Sequence, residues 1–136
     1  MAKMALLAMY VSINGTDFSD RIKSAKLTVE VEQLDSTTFG GDGWKEITGG
    51  LKSGGLEIEW TDDFSNSGGV DGFLWPLLGT NVAFEVRPDD AVVGVNNPKY
   101  TGECLISGAP MGGAVGELAM KSTNFATSGA VARATS

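Results

Sequence analysis

The stretch Leu34–Trp60, LDSTTFGGDGWKEITGGLKSGGLEIEW, decides how the rest of the chain reads. On its C-terminal side Leu56, Ile58 and Trp60 alternate with Glu57 and Glu59. Just before it, Leu27, Val29 and Val31 alternate with Lys26, Thr28, Glu30 and Glu32. A period of two puts successive side chains on opposite faces, so both runs read as half-buried strands. The apolar face meets a core and the polar face, markedly acidic here, meets water. Between the strands runs a glycine-rich connection, residues 35–50, that is too long for a tight hairpin turn. A long projecting loop on an acidic-faced sheet points to assembly rather than to chemistry.

Working outward, 136 residues suit one domain, residues 1–136, with a real core. Nineteen glycines, only four prolines and many short β-branched runs favour an all-β fold with numerous turns. The formal net charge of −7 argues against stable binding of a nucleic-acid backbone, which needs a basic surface to release counterions. It does not argue against a surface that nucleic acid passes without sticking. Histidine is absent from the sequence. That removes Ser-His-Asp and Cys-His catalysis and histidine-containing metal sites. The lone Cys104 lies in an apolar alternation and reads as a buried structural thiol. Met4–Val11 is apolar but too short to span a bilayer and lacks a signal-peptide layout, so synthesis in a cytoplasm and no membrane partner are expected.

Along the chain, residues 1–9 read as an N-terminal arm that becomes a strand near Tyr10–Ile13. Asn14-Gly15 is a tight-turn signal, since both residues tolerate positive φ. Phe18 and Ile22 are expected to pack as the chain enters the long strand Ser24–Leu34. After the strand ending at Trp60, Asp62–Gly69 is turn-like. Val70, Phe73, Leu74, Leu77 and Leu78 then fall at helical spacing and predict one short helix that ends near Gly79, with Pro76 disturbing its last turn. Further strands are expected around Val82–Val86, Lys99–Ser107 and Glu117–Phe125. Residues 126–136 form a small, polar tail that would order against a neighbour. About seven strands and one helix make a β-sandwich or partly open barrel with a helix on its flank.

Glu57 and Glu59 stand about 7 Å apart on one strand face, a spacing that paired-carboxylate hydrolases use. Nothing in the sequence supplies the concave substrate site such an enzyme needs. Asp62-Asp63 and Asp89-Asp90 match no calcium-loop spacing and sit where turns commonly place Asp. Gly40-Gly41-Asp42-Gly43 and Gly112–Gly116 lack the strand–loop–helix setting and Lys-Ser/Thr ending of a phosphate loop. No catalytic residue, metal ligand or cofactor is therefore expected, and the chain reads as not an enzyme.

The order of elements carries a resemblance. Asn14-Gly15 is followed by Asp35-Ser36-Thr37-Thr38-Phe39-Gly40 and a loop closing at Gly50-Leu51. Then come the apolar helix Gly69–Gly79, Phe84-Glu85-Val86-Arg87-Pro88 and Asn97-Pro98-Lys99-Tyr100-Thr101-Gly102. Over nearly its whole length the chain resembles the tail tube (major tail) proteins of long-tailed, non-contractile bacteriophages, especially those of actinobacterial hosts.

This resemblance implies a virion protein that self-assembles into hexameric rings stacked as a hollow tube. The inner sheets of neighbouring subunits would join into a continuous barrel, which removes aggregation-prone sheet edges. With about four strands from each subunit, a strand spacing of ~4.8 Å and a tilt of ~40°, the barrel is about 50 Å across and passes duplex DNA. The implied partners are further copies of the chain, a tail terminator, a tape measure and distal tail components. Double-stranded DNA would transit the lumen without stable binding. With no decoration domain in the sequence, a smooth exterior is expected.

On this basis Glu30, Glu32, Glu57 and Glu59 are expected to line the lumen, where acidic groups repel phosphates; an exposed outer face is the other placement. Thr37, Thr38, Phe39, Gly40, Asp42, Trp44 and Ile47, within the Thr37–Gly50 loop, are expected to contact the neighbouring ring, because large apolar groups there do not suit a monomer's surface. The alternative is that they fold back on their own sandwich. The rival readings are the tube of a contractile tail or secretion system, and a monomeric β-sandwich binding or decoration module.

Overall fold

A computed structural model describes residues 5–62, 64 and 69–136. The alternating runs form strands β1 (Tyr10–Ile13), β2 (Thr16–Asp17), β3 (Ile22–Asp35), β4 (Ile47–Thr61), β5 (Asn81–Arg87), β6 (Lys99–Leu105) and β7 (Met120–Ala134). Among the described residues there is one α-helix, α1 (Val70–Leu74). The strands pair antiparallel into a seven-stranded sheet in the order β2-β1-β5-β6-β7-β4-β3. The protein is thus all-β with one short helix.

β7 makes this sheet two-layered. Its first half pairs with β4, from Thr61↔Met120 to Gly55↔Ala126, and its second half leaves β4 to pair with β6 from Cys104↔Thr127 to Lys99↔Ala134. Gly129, with φ +81, accompanies a register shift in the β6–β7 ladder. Folding the sheet along β7 brings its apolar faces together. Leu56, Ile58 and Trp60 of β4 and Phe125 of β7 share one core with Val11 and Ile13 of β1, Phe84 and Val86 of β5, and Cys104 of β6.

Local chemistry accounts for most boundaries. Asn14 (φ 53) and Gly15 (φ 81) both take left-handed conformations in the β1–β2 turn. Phe18 is buried edge-on against Trp60 and Phe73, at ring separations of 5.5 and 4.6 Å. α1 places Val70 and Leu74 on the core. The chain tightens at Trp75–Leu77 into a 3₁₀ turn containing Pro76 and ends at Gly79, whose φ is +83.

Several expectations are corrected. Of the three apolar residues Leu27, Val29 and Val31, only Leu27 packs against the core; Val29 and Val31 are about half exposed. The reason is reach: β7 pairs β4 only as far as Gly55, so Ile47–Gly54 pairs with β3 alone and runs beyond the sandwich as a two-stranded ribbon. The connection expected at residues 35–50 is shorter, because Ile47, Thr48 and Gly49 already pair with Asp35, Leu34 and Gln33. The tail expected at residues 126–136 is ordered strand to Ala134, hydrogen-bonded to β6. Its Ala, Ser and Gly side chains hide the alternation that would have announced it. Residues 1–4 of the arm, Asp63 of the Asp62-Asp63 pair and residues 65–68 of the following turn lie outside the described residues.

Candidate functional site

The two halves of the Leu34–Trp60 stretch create two different surfaces. The first is the outward face of β3, β4 and β7. Glu57 stands in register between Lys26 of β3 and Asn124 of β7, and Glu59 between Ser24 and Ser122. Ser24 Oγ donates to Glu59 Oε2 at 3.4 Å. Glu30 faces Ser53 across the same pair of strands.

A bulge lies in the ribbon opposite Glu32. From Val31↔Lys52 to Gln33↔Gly49, β4 advances by one residue more than β3. The extra residue is therefore on β4, so β3 keeps its alternation and Glu32 stays on the face of Glu30. A Cβ on Gly50 would stand 3.3 Å from the Cβ of Glu32 and 3.1 Å from Leu34, which places all three on that face. The structure thus brings Glu30, Glu32, Glu57 and Glu59 together in one strip. From Ser24, opposite Glu59, to Glu32 is about 26 Å along the strand. Lys26 sits within the acidic strip beside Glu57, near its Glu59 end.

Chemically the strip is an open, solvated surface. The hydrolase spacing of Glu57 and Glu59 is present, but Lys26, Asn124 and the serines beside them lie on a sheet face. Among the described residues no group of three or more His, Cys, Asp or Glu could hold a metal ion. No helix there is long and apolar enough to cross a membrane.

The second surface is the ribbon and its tip. The tip holds its shape through its own hydrogen bonds. Asp35 Oδ1 accepts from the Thr37 amide at 2.9 Å, the Thr37 hydroxyl accepts from the Glu46 amide at 2.8 Å, and the Ser36 amide donates to the Glu46 carbonyl at 3.0 Å. The bonds from Thr37 hold the Asp35 carboxyl below its ordinary value of 3.8. A 3₁₀ turn spans Phe39–Gly41, followed by Asp42 (φ 51) and Gly43 (φ 84) in left-handed conformations. The carbonyl of Thr38 accepts from the Gly41 amide, and that of Gly41 from the Trp44 amide.

Of the residues expected at a ring contact, Thr37 is thus occupied in building the loop. Gly40 and Asp42 shape its turn. Phe39 (107% exposed), Trp44 (78%) and Ile47 (54%) stand clear of the sandwich and do not fold back on it. Down the ribbon, Val29 and Val31 are exposed on one face, and Leu34 and Leu51 are exposed as well. The sequence hinted at these only through the glycine pairs Gly49-Gly50 and Gly54-Gly55, which leave flanking side chains without lateral cover.

The chain matches no family model and no curated protein sequence. Solved structures match its fold, among them two from gene transfer agent particles. A chain in the virion of a native gene transfer agent particle aligns with a TM-score of 0.72 at 16% identity, covering 92% of this chain and 94% of that one. A chain in the tail of an empty gene transfer agent particle, refined with C6 helical symmetry, aligns with a TM-score of 0.68 at 16% identity, covering 93% of each chain. At this identity the likeness is one of fold.

Proposed function

We propose that this chain is a structural subunit of a phage-like tail, assembling into hexameric rings that stack as a hollow tube for double-stranded DNA. The ribbon carries the reading. It exposes Phe39, Trp44, Ile47, Leu51 and Val31 on an ordered scaffold, a set of large apolar side chains that suits contact with another chain. Burying it against another copy removes that surface from water at about 25 cal/mol per Å². The fold shared with chains of tail and virion particles, one of them of sixfold symmetry, supports the same reading.

Within this assembly the ribbon tip reaches the adjoining ring, and the face bearing Glu30, Glu32, Glu57 and Glu59 borders the lumen. Carboxylates there repel the phosphates of passing DNA, so the duplex slides instead of binding. The free edge of β3 joins the sheet of a neighbouring subunit, which pairs its exposed backbone groups.

Negative-stain electron microscopy and sedimentation of the concentrated protein test the proposal. Rings or hollow tubes are expected. A species that stays monomeric at high concentration in low and high salt would overturn it.

A further inference from the structure

Where the sandwich opens, an apolar groove of about 440 Å³ lies between the base of the ribbon and the ends of β5 and β6. Leu27 and Val29 form one wall, Val86 and Tyr100 the other, with Leu6 and Met9 of the N-terminal arm between them. The groove exists because β4 and β7 part company after Gly55, leaving the inner face of β3 uncovered beyond Leu27. Its size is that of sites which enclose a small apolar group.

We propose that this groove receives the ribbon tip of a second copy of the chain, with Phe39 or Trp44 as the anchor. The inference rests on the assembly reading above and names the receptor for its loop. Three observations carry it.

First, the tip presents two large, exposed aromatic side chains on a hydrogen-bonded loop, so little ordering remains to be lost on docking. Second, a chain cannot fill its own groove. β3 runs as strand from Val29 to Asp35, paired with β4 apart from the bulge opposite Glu32, which carries the tip about 20 Å away from Val29. A tip that fits a groove it cannot reach makes a head-to-tail contact, the kind that propagates into rings or filaments.

Third, the charges match. The tip, residues 35–46, holds Asp35, Asp42 and Glu46 against Lys45 alone. The Tyr100 side of the groove is basic. Arg133 Nε donates to the Tyr100 hydroxyl at 3.3 Å, and among the described residues Arg133 has no carboxylate within ion-pair distance. Asp89 and Asp90 follow Pro88 beyond Val86, where Asp90 lies beside Leu6 and Met9. An acidic loop therefore seats with its carboxylates toward Arg133, which sets a single orientation.

The test uses the full chain carrying both Phe39→Cys and Val29→Cys, oxidised at concentrations where microscopy shows assembly. Both positions are exposed, and the native Cys104 does not compete: it is fully buried, and burial pushes its thiol up to about 11. A ladder of disulfide-linked dimers, trimers and longer species is expected, with neither single variant passing beyond dimers. Assemblies that form normally but give no ladder would overturn the groove while leaving the assembly reading standing. An unsubstituted chain that remains monomeric throughout would overturn both. Separately, Arg133→Glu should weaken assembly about tenfold or more, and adding Glu46→Lys should restore most of it. Undiminished assembly of Arg133→Glu would sink the charge-guided seat.

Discussion

The Lys121 ammonium stands 3.4 Å from Asp62 Oδ1, and both side chains are only 1% exposed. Asp71 Oδ1, at the start of α1, lies 3.5 Å from the same nitrogen. None of these contacts has hydrogen-bond geometry for Lys121 or Asp62, so the cluster is held by charge. It joins the end of β4, the beginning of β7 and the helix. Removing one partner leaves a buried uncompensated charge, so Lys121→Met should cost about 3–5 kcal/mol in urea denaturation. The double variant Lys121→Met/Asp62→Leu should recover most of that loss. A double variant that loses the sum of the two single-variant losses would show that the two charges act independently.

Gly54 sits where β4 and β7 separate. A Cβ there would stand 2.9 Å from Thr127 Oγ1 and 3.0 Å from the backbone carbonyl of Thr28. The carbonyl belongs to the paired β3 strand and cannot move aside. Gly54→Ala should therefore destabilise the fold by about 1–3 kcal/mol. Gly108→Ala, where a Cβ meets nothing within 4 Å, should change stability by less than about 0.5 kcal/mol. Thermal melts of the two variants compare them directly.

Buried Trp60 Nε1 donates to Thr123 Oγ1 at 2.9 Å. Thr123→Val preserves shape but strands the indole N–H, at a cost of about 1–3 kcal/mol. Chemical denaturation followed by tryptophan fluorescence reads that loss, and an unchanged midpoint would show that another acceptor takes over.

The Asp35 carboxyl is held below 3.8 by the Thr37 bonds. Because its folded value is lowered, its contribution to loop order is complete above the unfolded value. It disappears as pH falls through the lower folded value. In an NMR titration the Thr37 amide should move with a midpoint below 3.8. Asp35→Ala should abolish that movement.

For the carboxylate strip, Glu57→Lys/Glu59→Lys should leave folding and assembly intact, since both side chains point away from the core. Particles built with this variant should deliver DNA less efficiently, because the phosphates now meet cations. Unchanged delivery would remove the lumen placement.

Strand identity and facing were legible wherever one face had a strong alternation. Leu56–Trp60, Val82–Val86 and the Asn14-Gly15 turn read directly, as did the helix ending at Gly79. Lys121 was not legible as a core residue. A lysine ordinarily belongs in water, and only Asp62 and Asp71, distant along the chain, make its burial tolerable. β7 beyond Phe125 was also hidden, because Ala, Ser and Gly carry little hydropathy contrast.

By itself, the sequence determined that the chain is all-β, that Glu57 and Glu59 oppose the core, and that histidine chemistry is excluded. These are properties of composition and of the two-residue strand period. Tertiary structure alone decided that β3 and β4 outrun the sandwich, because that depends on where β7 leaves β4. The same departure exposes Val29 and Val31 and opens the groove beside Tyr100. A strand's period tells which way a side chain points; only its neighbours decide whether anything is there to cover it.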